Sequence, residues 1–234
     1  MYKYLIFILS AFIFCSCNNI NGSGNIKTEN RNVEQFDGVQ ASGSMDIEVT
    51  DGEKLSVEVE ADDNVLRYIV TEVSDGLLDV YFKSNTSFNN VHAKIYVTAL
   101  GLKRLFVKGS GSIISRNKIQ NTSSVSTRIS GSGDINATVD APDVRAEISG
   151  SGNLSLQGRC KNFEGSISGS GDLKCGDLLS ENADVSIFGS GNGHVYASVR
   201  LKASTTGSGD IYYRGNPSSP ETSKTGSGNI VAEK

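Results

Sequence analysis

Along most of the chain, apolar residues alternate with polar ones, and at regular intervals the alternation is interrupted by the triplet Gly-Ser-Gly. Eight copies begin at Gly22, Gly109, Gly131, Gly150, Gly169, Gly189, Gly207 and Gly226. A degenerate ninth, Gly43-Ser44-Met45, keeps the Asp46-Ile47 that follows it. From Gly109 onward the steps between copies are 22, 19, 19, 20, 18 and 19 residues. A fixed period near twenty is the signature of a repeat architecture.

Alignment on the first glycine shows what repeats. Four residues later stand Ile26, Ile47, Ile113, Ile135, Leu154, Leu173, Gly193, Ile211 and Ile230. Two residues before it stand Val107, Ile129, Ile148, Ile167 and Ile187, and the series fades to Thr205 and Lys224. A third column runs Ala137, Leu156, Cys175, Val195, Tyr213 and Ala232. Apolar positions two apart on both sides of each triplet are the period of a strand with one buried face. Each copy therefore reads as strand, tight corner, strand.

Glycine suits such a corner because it takes positive φ without a Cβ clash. Stacked coils also bring corner backbones within about 4.8 Å of one another. The serine is expected in the stack, its hydroxyl bonded within the turn or to a neighbour. Eighteen to 22 residues per coil is too short for a strand–helix–strand unit. The prediction is an all-β chain forming a parallel β-helix with the aliphatic columns inside. The residue after the last six corners alternates Asp134, Asn153, Asp172, Asn192, Asp210, Asn229. In stacked coils that alternation keeps the acids two rungs apart, roughly 9.5 Å.

The stretch before Gly109 is less regular. Strands are expected over 55–61, 77–82 and 92–98, with a short helical or irregular crossing over 62–70. Asp51-Gly52 and Asp75-Gly76 suit hairpin turns. Residues 44–108 either continue the β-helix in distorted form or make a sheet that caps it. Residues 212–224 read as an exposed loop before a last strand with a polar finish.

The first residues do not belong to this pattern. Lys3 precedes an apolar run through Phe14, too short to span a membrane as a stable helix but right for a secretory leader. The run ends in Phe14-Cys15-Ser16-Cys17, which resembles the lipobox of bacterial lipoproteins. In such proteins the leader is cut before the cysteine, which is then acylated. The expected organisation is a leader over 1–16, a lipid-anchored tether over 17–21 attached through Cys17, and one domain over 22–234. Within that domain 22–108 is irregular and 109–234 regular. The competing reading is an ordinary leader with an incidental cysteine.

Charge adds a mild constraint. The chain has 22 basic and 26 acidic residues, a formal net of −4, and argues against nucleic acid as a partner. Cys160 and Cys175 are the remaining cysteines beyond the leader, and an oxidising envelope would permit a disulfide between them. Cys175 lies in an inward column, so a buried thiol is the other reading.

The chain resembles the auto-transporter adhesin head GIN domain family, common in envelope proteins of Bacteroidetes-like bacteria. The resemblance rests on GSGNI after Cys17, on VEQFDGVQASGSMDIEVTDGE (33–53) and on VEVEADDNVLRYIVTEVSDGLLDV (57–80). The serial corners and YYRGNP (212–217) extend it over nearly all of 22–234. It implies a right-handed β-helix, and the family brings no established catalytic residues.

Site motifs are few. Phosphate-binding glycine loops lead into helices, whereas these corners lead into strands. Calcium-binding β-rolls use paired glycines and a period about half as long. His92 and His194 have no Ser or Cys neighbour placed in sequence for a triad and read as surface residues. No metal, cofactor or catalytic residue is expected. Asp134, Asp172 and Asp210 could imitate the acid row of a carbohydrate-active enzyme, which is the alternative to the leading reading. The leading reading is a non-catalytic envelope module, lipid-anchored at the outer membrane and facing periplasm or surface. Its Ser-, Thr-, Asn- and Asp-rich faces suit glycans or envelope and host proteins.

Overall fold

Every corner from Gly43 to Gly226 stacks in register on the one before it. Gly109 pairs with both Gly43 and Gly131, and the series continues through Gly150, Gly169, Gly189, Gly207 and Gly226, always in parallel strands. This computed structural model describes residues 18–83 and 86–233. The result is a parallel β-solenoid of about 6 turns behind an N-terminal sheet region.

Each coil has a leading arm ending on the first glycine and a trailing arm starting after the second. Asp143–Gly150 is a leading arm and Asp134–Asp140 a trailing one. In Asn153–Gly169 and Asp172–Gly189 one trailing arm runs without a break into the next leading arm. Inward residues of both arms form one core. Ile129, Ile148 and Ile167 stack in it at 3% exposure or less, as do Ile135, Leu154 and Leu173 from the trailing arms. Thr205 continues the first column while buried, and its hydroxyl is satisfied by donating to the Gly209 carbonyl at 2.8 Å.

Two constraints fix the corner glycines. Gly150 has φ 131°, a conformation that L side chains avoid. A Cβ there would also overlap the Gly131 carbonyl oxygen, and one on Gly152 would overlap the Gly133 carbonyl oxygen. Coils this close leave no room for a side chain on the side facing the preceding corner. Met45 takes the place of the second glycine at the first corner, where no earlier corner lies behind it, and its side chain is buried. The serine contributes its backbone rather than its hydroxyl to the stack. Ser132 N–H donates to the Gly109 carbonyl at 2.8 Å and Ser151 N–H to that of Gly131 at 2.9 Å, while both side chains are exposed.

The irregular half resolves into one coil and a cap. Gly38–Gly43 and Asp46–Asp51 form a coil that stacks directly on Arg104–Gly109 and Ser112–Gln120. Between them the chain leaves to build the cap. The leading sheet gains Leu77–Phe82 in parallel, then Ile69–Ser74 antiparallel to it. The trailing sheet gains Ala93–Ala99, then Ser56–Asp62, then Ile26–Arg31. The crossing over 62–70 contains a single 3-10 turn, Leu66–Tyr68.

One of the two expected hairpin turns forms, and three other expectations are corrected. Asp75-Gly76 is a hairpin turn, with both residues at positive φ as a type I′ turn requires. Asp51-Gly52 is not a hairpin, because Ala93–Ala99 inserts between the two strands it joins. The triplet at Gly22 is not a corner, and Ile26 is 43% exposed rather than in the core column. Instead this loop clasps the turn at 62–64. Gly24 N–H donates to the buried Asp62 carboxylate at 2.6 Å, Ser23 Oγ donates to Asp63 at 2.7 Å, and Asn64 Nδ2 donates to the Asn21 carbonyl at 2.8 Å. Asn18–Asn21, expected as a tether, is a strand paired in parallel with Thr86–Asn89.

A candidate binding trough

Depressions follow one another along the edge where trailing arms pass into leading arms, opposite the glycine corners. One of about 770 Å³ spans Asp51, Leu100, Lys118 and Asn121. Its neighbour, about 540 Å³, shares Asn121 and Asp140 with it and continues over Arg159, Cys160, Leu179 and Tyr196. A third, about 490 Å³, lies beside the second: Pro142, Lys161 and Glu181 line one, and the next residues Asp143, Asn162 and Asn182 line the other. Together they make a trough running along the solenoid axis across successive coils.

The period that builds the corners also builds the trough walls. Asp143, Asn162, Asn182 and Arg200 occupy one outward column in four coils. Asn162 Nδ2 donates to Asp143 at 2.7 Å and Asn182 Nδ2 to Asn162 at 2.9 Å. Two residues further along each arm, Ser126, Arg145, Glu164, Asp184 and Lys202 form the facing column. Arg145 pairs with Glu164 at 3.4 Å and with Glu147 at 2.6 Å, and Lys202 with Asp184 at 3.3 Å. On the edge itself Arg159 holds Asp140 at 2.8 Å, which keeps that carboxyl below its ordinary range. Leu179 is 49% exposed beside it.

Few of the residues singled out from the sequence meet here. Cys17 lies outside the described residues. Cys160 and Cys175 are both free thiols in this structure. Cys175 is enclosed in the core column, and Cys160 lines the trough half-buried, its thiol pushed up to about 12 by burial. His92 bonds Glu60 at 2.8 Å on the cap, and His194 stacks on Tyr212 at 4.8 Å, centroid to centroid. Asp134, Asp172 and Asp210 stand beside the corners, away from the trough, each accepting hydrogen bonds from an asparagine of the next coil. Among the described residues, His, Cys, Asp and Glu form no group of three or more able to hold a metal ion. The wall residues 143, 162 and 182 repeat at the same step as the corners, a signal present in the sequence beside the glycines.

Solved structures share this architecture. A putative adhesin from Bacteroides fragilis NCTC 9343 superposes with a TM-score of 0.87 at 23% identity, over 92% of this chain and 100% of that one. A putative lipid binding protein from Parabacteroides distasonis ATCC 8503 is 30% identical, with a TM-score of 0.74 over 93% of this chain and 100% of its own. A putative adhesin from Parabacteroides merdae ATCC 43184 gives 0.75 at 20% identity, over 93% and 100%. None of the curated proteins matches the chain. The family described as "Putative auto-transporter adhesin, head GIN domain" matches residues 35–217, most of the solenoid and its cap, and the chain belongs to that family.

Proposed function

We propose that this chain is a non-catalytic, adhesin-like binding module of the cell envelope, held at the outer membrane by lipid on Cys17, that takes glycans or envelope and host proteins on the side of the solenoid. The observation that carries the reading is the trough: open depressions succeed one another across coils, lined by polar side chains at the coil repeat. The family's adhesin description supports the same role. One similar structure is described as lipid binding. Here the trough walls carry charged groups whose desolvation by an acyl chain would be costly. The enzymatic alternative would use the Asp134, Asp172 and Asp210 row. Those carboxylates are occupied by amide donors of the next coil.

The test is to incubate the domain with immobilised polysaccharides and envelope proteins while assaying for reducing ends and unsaturated products. Retention without product is expected. Turnover that disappears in Asp172→Asn would overturn the reading in favour of an enzyme. The anchor is tested separately: Cys17→Ser should abolish detergent-phase partitioning, and unchanged partitioning would exclude Cys17 as the attachment point.

A further inference from the structure

We infer that the trough segment between the Asp143–Asn162–Asn182 column and the Arg145–Glu164 column binds an uncharged glycan chain lying along the solenoid axis. The inference rests on the binding-module reading above and names its site and ligand class. Geometry sets the first limit. The two columns lie two residues apart on each arm, roughly 6.8 Å, and side chains recur along them about every 4.8 Å. Side chains that recur at this period suit a linear polymer of rings laid over them, its units advancing by about one coil.

Chemistry sets the second limit. An amide carries two donors and two acceptor lone pairs. Asn162 uses one donor on Asp143 and receives one bond from Asn182. It therefore keeps a donor and a lone pair whose directions the ladder already fixes. Fixed amides and carboxylates at repeat spacing suit vicinal hydroxyls, which both give and accept hydrogen bonds. The backbone beneath them is consumed by the parallel ladder between coils, so an extended peptide would find no main-chain partners there. The facing column, Arg145, Glu164, Asp184 and Lys202, is balanced in charge and internally paired, Arg145 with Glu164 and Asp184 with Lys202. No field of a single sign draws a polyanion. At the adjoining cavity Tyr196 offers an aromatic surface to the apolar face of a sugar.

The test uses the purified domain and neutral gluco-, manno- and galacto-oligosaccharides from disaccharide to hexasaccharide, titrated by calorimetry. Affinity is expected to rise with length until the chain spans the four coils. Asn162→Ala combined with Asn182→Ala should weaken binding at least tenfold while leaving the melting curve near that of the parent. Glu164→Gln on the facing wall keeps the ladder intact and should weaken binding by a smaller factor, which guards against a folding defect in the double variant. Sulfated polysaccharide should not compete. Unchanged affinity in both variants would overturn this site while leaving the binding-module reading standing. Retention of proteins, acyl chains or anionic polymers with no neutral glycan bound would overturn the ligand class, again without touching that reading. Turnover of the oligosaccharides would overturn both.

Discussion

Asn153 directs its backbone N–H and its side-chain Nδ2 to the same carboxylate oxygen of Asp134 in the preceding coil, at 3.1 and 2.9 Å. Asn192 does the same to Asp172 and Asn229 to Asp210. Ser112 donates its hydroxyl to Asp46 at 2.6 Å, which carries the pattern back to the first coil. Alternation therefore does more than separate acids: each acid is matched to a donor one rung away. Asn153→Asp should destabilise the protein by about 1 kcal/mol at pH 7, since it places like charges on adjacent rungs of an exposed ladder. Urea melts at pH 7 and pH 3 would check this. The deficit should shrink at pH 3, and a deficit of equal size at both would mean that charge is not its cause.

Acidification offers a second check. The Asn229 backbone N–H, followed by its side chain, holds the Asp210 carboxyl below its ordinary range, and the Arg159 guanidinium does so for Asp140. A carboxyl with a depressed folded value binds fewer protons than in the unfolded chain. It stabilises the fold above the unfolded value near 3.9, and that contribution is lost as pH falls through the lower folded value. The urea midpoint should therefore decline below about pH 4, and Asp210→Asn should flatten part of that decline. An identical acid slope in parent and variant would contradict the assignment.

The core columns allow a direct comparison within one strand. Ile148 lies between Ile129 and Ile167 at 3% exposure, while Ser149 beside it faces solvent. Ile148→Ala should cost about 2–5 kcal/mol, the range for a large-to-small change in a core. Ser149→Ala should change stability by less than about 0.5 kcal/mol. Equal tolerance at both sites would contradict the inward register.

Two glycines should respond in opposite directions. Gly150→Ala meets both a forbidden φ and a neighbouring carbonyl, and a loss of at least about 2 kcal/mol is expected. Gly193 occupies the aliphatic column between Leu173 and Ile211, and a Cβ there would come no nearer than 3.4 Å to another side chain. Gly193→Ala should raise stability by about 0.4–1 kcal/mol, chiefly by restricting the unfolded chain. Thermal melts of the two variants separate a conformational requirement from an unfilled position.

The thiols give a redox control. Burial pushes both cysteines toward the protonated form and suppresses nucleophilic attack at neutral pH. A thiol reagent should label the native domain slowly and the urea-unfolded chain fast. Reductant should leave the urea midpoint where it was. A midpoint that falls on reduction would mean that the two sulfurs are bonded.

Corners, columns and parallel register were legible because the repeat writes them many times. Ile129, Ile148 and Ile167 could be aligned by counting from their glycines. The cap has no such redundancy. Ala93–Ala99, far along the chain, enters between Asp46–Asp51 and Ser56–Asp62, and local turn chemistry at Asp51-Gly52 carries no trace of that insertion. The triplet at Gly22 shows the opposite limit, since identical letters serve a clasp on Asp62 and Asp63. At the trough, residues 143, 162 and 182 were visible as repeats. That their edge is open, while the glycine edge is closed, depends on how each coil turns and not on any one residue.

The matched ladder has a consequence for how such a protein can change length. A solenoid grows or shrinks by whole coils, and from the standpoint of the core a single duplication is neutral. The column Asp134, Asn153, Asp172, Asn192, Asp210, Asn229 has a unit cell of two coils. Inserting one coil inside it must leave either two acids or two amides adjacent at a seam, whereas inserting two restores the sequence of partners. Two amides on adjacent coils can bond each other, as Asn182 does Asn162, so the outer face resists only the seam that sets two acids side by side, a bias invisible to the interior.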